Sequence, residues 1–192
     1  MFVRWLSYLF YTFLGLGLAG LLLAGFAALV IYSNLPSLET LTDYRPKIPL
    51  RIYSDEELLI GEFGVERRNV VAISKVPTHL KQAILAAEDD RFYEHGGIDY
   101  IGVLRAAYSN FSAGSVQQGA STITMQVARN FFLTRDKTFT RKLNEMLLAF
   151  KIEQNLSKDK ILELYINQIY LGQRSYGFSA AAQTYFGKPL EE

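Results

Sequence analysis

The stretch "AAEDDRFYEHGG", residues 86–97, packs four acids, an arginine, two aromatics and a histidine into twelve positions. It follows "LKQAILA", in which Leu80, Ala83, Ile84 and Ala87 recur at helical spacing. Glu88 lies four residues after Ile84, so it continues the apolar stripe and not the solvent face. A carboxylate at the end of such a stripe is expected to lose water on one side, which tends to raise its pKa toward a range useful for proton transfer. Glu88 is therefore the best candidate general base. A helix-end glutamate in an ordinary surface ion pair is the plainer alternative. Asp89 and Asp90 are expected to point elsewhere or to begin a loop. His95 with Asp99 supplies two metal-type ligands, too few for a site, so a structural hydrogen bond is expected of His95.

A second cluster is "GASTITMQVARN". Ser121 is expected to cap a helix on which Thr122, Gln126 and Arg129 fall at i, i+4 and i+7, a polar stripe ending in a cation. Ile123 and Val127 face the core. Free N–H groups and hydroxyls at a helix start suit anionic or sugar ligands. Alternatively, this is a capped amphipathic helix with a solvated face.

The third cluster is "TRKLNEMLLAFKIEQNL". Arg141 and Lys142 precede Glu145 by four and three residues and share its face. Apolar residues cover most of that helix, so Glu145 is expected to be buried and to need partners. Two cations in a first turn oppose the helix dipole, which points to a bound anion; an intrahelical salt bridge is the alternative. From Arg129 to Lys142 there are five basic residues and one acid. Together the clusters suggest a base acting on a sugar hydroxyl and a cationic pocket for a departing pyrophosphate.

These residues need a scaffold. The spacing predicts helices over 78–87, 100–111, 122–130 and 141–154, another from Ser157 to a stop at Gly172, and a last one in "SAAAQTYFG" closed by Gly187. "IPLRIYSDEELLIGEFG" reads as a hairpin around "SDEE", and "RRNVVAI" as a further short strand. The result is mainly α with a small β element. At the front, Trp5 to Tyr32 carries no charge, and the 19 residues Phe13–Ile31 are all apolar or glycine. As a helix they span roughly 28 Å, close to a bilayer's apolar thickness. A signal peptide has a shorter apolar core, so a retained anchor is expected. Arg4 before it, with no other base until Arg45, favours a cytoplasmic start. The expected layout is a cytoplasmic start and anchor over 1–32, a tether and hairpin over 33–72, and a catalytic domain over 73–192.

The bulk numbers agree. Of 192 residues, 49% are hydrophobic, and the mean hydropathy is +0.08. The 20 basic and 19 acidic residues leave no excess suited to nucleic acid. No cysteine is present, so redox compartment is undetermined.

"EDDRFYEHGGID", "GASTITMQVARN", "RKLNE" and "KDKILELYINQIYLG" occur in an order and spacing that resemble the peptidoglycan glycosyltransferase domain of class A penicillin-binding proteins. The flanking "IPLRIYSDEELLIGEFG" and "YGFSAAAQTYFGKP" look most like the 1A subgroup of Gram-negative bacteria. The resemblance covers nearly everything after the anchor. It implies a mainly α, lysozyme-like fold with a jaw touching the membrane. It also implies inverting polymerisation of lipid II into β-1,4 glycan, with release of undecaprenyl pyrophosphate, at the periplasmic side of the bacterial inner membrane. By motif, Glu88 would act on the acceptor's 4-hydroxyl, and Glu145 would assist at the donor, orienting groups or a divalent cation (Mg or Mn). Arg129, Arg141 and Lys142 would hold the phosphates, and Ser121, Thr122 and Gln126 would line the donor pocket. Phe92 and His95 would shape the site, and Arg105 would face the cleft. Glu163, Tyr165 and Asn167 would be mainly structural. No organic cofactor is implied. Partners would be lipid II, the growing lipid-linked glycan, the membrane and other cell-wall synthesis proteins.

The chain departs from the family pattern at Met125, where a glutamine is usual, and at "SDEE", where Asp-Gly is usual. The last helices of the domain are expected to be missing. "SKDK" matches Ser-x-x-Lys of penicillin-reactive enzymes, but no Ser-x-Asn or Lys-Thr-Gly follows, so Ser157 is read as a helix cap. The rival readings are a lysozyme-like hydrolase, which also uses a glutamate in a saccharide cleft, and a non-catalytic lipid II-binding fragment.

Overall fold

The structure is a computed structural model that describes residues 2–44, 46–47, 49–134 and 138–192. The chain divides into two compact units, Met1–Pro36 and Ser37–Glu192.

The first unit is one helix, α1 (Phe2–Ser33). Its segment Tyr8–Ser33 is long and apolar enough to cross a membrane, as expected of an anchor. Apolar side chains are exposed all round it, which suits a helix solvated by lipid. Three polar side chains in or just after it bond back to its own carbonyls, which suits an apolar surrounding. Thr12 donates to the Tyr8 carbonyl at 2.8 Å, and Ser33 and Asn34 both donate to the Val30 carbonyl at the exit. Arg45, which entered the orientation argument, lies outside the described residues.

The second unit begins with a short helix, α2 (Glu39–Thr42), whose Leu41 is fully buried. Strands β1 (Leu50–Tyr53) and β2 (Leu59–Phe63) form the expected antiparallel hairpin. Arg51 and Glu62 face each other across it and pair at 2.8 Å. The turn closes without Asp-Gly. The Ser54 hydroxyl accepts from the Leu58 N–H at 3.0 Å, and Glu57 takes the left-handed backbone, φ 61°. The strand expected in "RRNVVAI" shrinks to β3 (Arg67–Arg68), paired in parallel with β4 (Ser175–Tyr176).

The rest is helical: α3 (Thr78–Glu88), α4 (Tyr100–Ala113), α5 (Ile123–Phe132), α6 (Phe139–Asn155), α7 (Lys158–Gln168) and α8 (Phe178–Phe186). Caps set several boundaries. Thr122, not the expected Ser121, caps α5 by accepting from the Met125 N–H. Thr138 starts α6 two residues earlier than expected, and Ser157 caps α7 as expected. Helix α7 stops at Gln168, and Gly172 lies in a left-handed turn beyond it (φ 91°). Helix α5 packs on α6 and α7. Their facing residues, among them Ile123, Val127, Leu148, Ile152, Ile161 and Ile166, are wholly buried. Met125 also lies in this core, 2% exposed, so an apolar side chain fits there.

Two polar side chains stitch the segments before α3 to α7. Buried Asn167 accepts from the Val71 N–H at 2.9 Å and donates to the Val71 and Glu163 carbonyls at 2.8 and 2.9 Å. The buried guanidinium of Arg68 donates to Glu66, Tyr44, Gln168 and the Asn167 carbonyl, with its carbon 4.5 Å from the centre of the Tyr176 ring. An extended segment carrying Val71 has no strand partner, so Asn167 takes the place of one. Asn167→Ala leaves both polar groups of buried Val71 without their partner. It should destabilise the second unit by about 2–4 kcal/mol, read as an earlier urea midpoint in far-UV circular dichroism; a loss under ~0.5 kcal/mol would refute this stitching role.

Candidate functional site

Helix α5 organises the site because its sequence is two-faced. Ile123 and Val127 bury one face, while buried Gln126 and half-buried Arg129 lie on another, toward the hollows. The α3 stripe forms a wall in which only Ile84 is buried. Leu80, Ala83, Ile84 and Ala87 line an open apolar hollow of about 340 Å³ that reaches Glu88 and is bordered on its other side by Tyr165, Tyr170 and Phe178.

Glu88 stands at the end of α3 and is exposed. The one-sided loss of water expected for it is therefore corrected: the chain's own side chains leave the carboxylate solvated, because the hollow beside it is open. Its position is nevertheless fixed, since Gln126 Nε2 donates to Glu88 Oε2 at 2.8 Å. Buried Tyr165 lines the same hollow. Burial pushes its phenol up to about 12; the nearby Glu88 carboxylate adds to the shift and the Arg129 guanidinium opposes it.

Asp89 begins the loop after α3, as expected, and also carries a structural role that the sequence did not show. Its carboxylate is buried. It accepts from the Ile123 N–H, the first residue of α5, at 3.0 Å, and meets His95 Nε2 at 2.9 Å. The structural hydrogen bond expected of His95 is thus made to Asp89 and not to Asp99. Thr122 donates to the Gly97 carbonyl at 2.6 Å. Gly97 is left-handed (φ 94°), and a Cβ there would lie 3.0 Å from the Ala149 carbonyl oxygen, so only glycine lets this loop sit on α6. Phe92 is fully buried, with Lys158 Nζ 4.3 Å from its ring centre. A fully buried ring cannot touch a ligand, so Phe92, named with the site residues by resemblance, shapes the site through packing and not through contact.

Beside Glu88 a second hollow is lined by Asp89, Asp90, Asp99 and residues 118–122, with Arg105 as its one cation. Arg105 reaches Asp90 at 3.5 Å. On the other side of the site a hollow of about 350 Å³ is lined by Arg129, Arg141, Asn130, Gln168, Tyr170 and Tyr176 and, among the described residues, by no acid. Tyr170 borders both this basic hollow and the apolar one, as Glu88 borders both the apolar and the acidic one.

Glu145 is 1% exposed and takes both neighbouring cations. Arg141 Nη1 donates to Oε1, and Lys142 Nζ to Oε2 at 3.0 Å. The intrahelical salt bridge weighed as an alternative is therefore present. Lys142 also donates to the Ser121 hydroxyl at 2.7 Å, and Arg141 Nε is buried without a hydrogen-bond partner. Arg135, Asp136 and Lys137, counted in the basic cluster, lie outside the described residues. Both Glu145 oxygens are engaged, and among the described residues no group of three or more His, Cys, Asp or Glu side chains converges. The set present does not fit a metal cradle built by protein side chains.

The sequence reading missed Asp89 as a linchpin, along with Tyr170 and Tyr176 as walls. The first left a trace: α5 has no acid in its first turn, so its free N–H groups need a carboxylate from elsewhere. The tyrosines left none, since their role depends on β4 returning beside α7.

Known proteins resemble this chain closely. A family model described as Transglycosylase matches residues 56–192. Penicillin-binding protein 1A of Neisseria gonorrhoeae is 56% identical over 192 residues, covering 100% of this chain and 24% of that protein. The protein of the same name from Neisseria flavescens is 58% identical over 178 residues, 93% of this chain and 22% of that protein. That of Pseudomonas aeruginosa is 47% identical over 190 residues, 99% and 23% of the two. The chain spans about a quarter of the length of these curated relatives. With its four motifs folded around one helix and its match running through all of them, the chain belongs to the transglycosylase family, as a domain homologous to that of penicillin-binding protein 1A.

Proposed function

We propose that this chain is a membrane-anchored peptidoglycan glycosyltransferase that extends glycan from lipid II, with inversion at the anomeric carbon and release of undecaprenyl pyrophosphate. The observation that carries the reading is the polarity along α5. Among the described residues, its start borders a hollow with four carboxylates and one arginine, and its end borders a hollow with two arginines and no acid. Thr122 and Arg129 are separated by about 10 Å of helix. A sugar hydroxyl that must give up a proton suits the acidic end, and a diphosphate leaving group suits the basic end.

In this reading Glu88 takes the proton from the acceptor's 4-hydroxyl as that oxygen attacks the donor's C1. Gln126 holds the carboxylate in place. The C1–O bond to the diphosphate breaks on the opposite face, and its electrons pass to a phosphate oxygen held by Arg129, Arg141 and Lys142. Glu145 acts through those two α6 cations, keeping them extended toward the ligand. No step is assigned to a divalent cation, because both oxygens of the best-placed carboxylate are already paired. The apolar hollow and the exposed row Ile101, Leu104, Tyr108 and Phe111 on α4, each at least 60% exposed, suit a substrate that keeps its lipid in the bilayer. Association with other cell-wall synthesis proteins is consistent with the named relatives.

Lipid II in detergent or vesicles is the decisive substrate. Strand growth supports the reading; shortening of finished glycan without growth supports a hydrolase; binding without product supports a non-catalytic domain. Glu88→Gln should lower polymerisation by at least ~10²-fold, with lipid II binding and melting temperature retained, because that carboxylate is exposed. Glu145→Gln should behave differently. It removes the charge that two cations share at a buried position, so it should lose about 3 kcal/mol of stability together with turnover. Equal stability losses in the two variants would contradict the separation of roles.

A further inference from the structure

The connection between α4 and α5, residues 114–122, has no helix or strand of its own. Yet its last five residues form one wall of the acidic hollow beside Glu88. Its Gly, Ser and Gln composition gives it many unfolded conformations to lose, and a wall that wanders cannot orient a ligand.

One side chain outside the connection restrains it. Asn110, in the last full turn of α4, accepts from the Gln117 N–H at 2.6 Å and the Gln118 N–H at 2.9 Å, and its amide nitrogen donates to the Gln118 carbonyl at 3.0 Å. Both ends of the carboxamide are spent on the backbone of a single turn. Those bonds cross seven and eight residues of chain, so they are not a cap on α4, whose end closes through the Gly114 N–H to the Phe111 carbonyl. The far end of the connection is held separately, by Lys142 on the Ser121 hydroxyl. The wall is thus clamped at three points: Asn110 on α4, Lys142 on α6, and the Gly97 carbonyl that accepts from the Thr122 hydroxyl at its end.

We propose that Asn110 is a positioning residue that latches the connection so that residues 118–121 meet the ligand beside Glu88. The proposal rests on the reading of that hollow as the place where the acceptor sugar binds. Asn110 borders neither that hollow nor the basic one, so its effect is transmitted through the backbone it holds.

The test uses the full chain with Asn110→Ala and Asn110→Asp. The aspartate keeps both acceptances from Gln117 and Gln118 and loses only the donated bond. Amide exchange at Gln117 and Gln118 should quicken by about tenfold or more in Asn110→Ala, while the melting temperature stays within a degree or two of the parent. KM for lipid II should rise several-fold with kcat nearly unchanged, and Asn110→Asp should restore most of both the protection and the KM. The latch is refuted if Asn110→Ala matches the parent in exchange and in KM, or if Asn110→Asp protects the amides without recovering KM. A parent that neither binds nor extends lipid II refutes the site reading itself, whereas an active parent with an indifferent Asn110→Ala refutes the latch alone.

Discussion

The buried carboxylate of Asp89 holds the site together. A helix begins with N–H groups that have no partner within it, and α5 begins in a buried place. Asp89 satisfies one of those groups and meets His95 in the same small volume. Because Asp89 directly follows Glu88 in the chain, this bond fixes the exit of α3 relative to the entry of α5. Gln126, one turn into α5, then falls within 2.8 Å of Glu88. The Glu88–Gln126 contact is thus a consequence of how a helix end deep in the protein is satisfied. The same logic explains why Gly97 must approach α6 so closely: the loop from Asp89 to Asp99 has to fold back under α5 to deliver both the carboxylate and the carbonyl that Thr122 needs.

Glu145 imposes the second constraint. An ionised carboxylate with 1% exposure requires charge partners and hydrogen bonds. It draws Arg141 and Lys142 down onto α6, so the two cations cannot scatter into solvent. Lys142 keeps a second bond, to Ser121 at the mouth of α5, and Arg141 faces the basic hollow with its Nε unsatisfied. Two cations with one carboxylate leave a net positive charge held by a rigid frame. That arrangement answers the oddity of cations in a helix's first turn: the dipole disfavours them there, and a buried glutamate one turn on compensates.

The sequence made the helices legible because apolar spacing and caps are local. Most helices lay within a residue or two of their expected limits, and Ser157 declared itself as a cap. Ser121 and Thr122 could not be ranked as caps from type alone, since either hydroxyl suits the position; the Gly97 carbonyl decides for Thr122. Of the short partner strands, β3 was legible only as part of a longer expected strand and β4 was hidden. Two residues of parallel pairing leave almost no pattern, and their stability comes from Arg68 and Asn167, whose partners lie roughly a hundred residues away. The α3 stripe was legible as apolar but not as the lining of an open hollow. Periodicity reports that a face avoids water, and not what covers it.

That last difference bears on how the proposed chemistry would begin. A base buried in the empty protein would have to be desolvated at the expense of folding stability. Glu88 instead stays exposed at the rim where an apolar hollow and a polar one meet. Under the proposed function, the ligand completes the environment: sugar rings entering beside residues 118–122 and chain atoms entering beside Leu80 and Ile84 would displace water from the carboxylate only when both are in place. Desolvation is then drawn from binding energy and occurs in the occupied complex. The donor side would be built the opposite way. Glu145 holds Arg141 and Lys142 before any ligand arrives, so a leaving group would meet a preorganised field. In this reading one end of α5 is fixed in advance and the other is finished by substrate, and the difference follows from which of the two glutamates the fold buries.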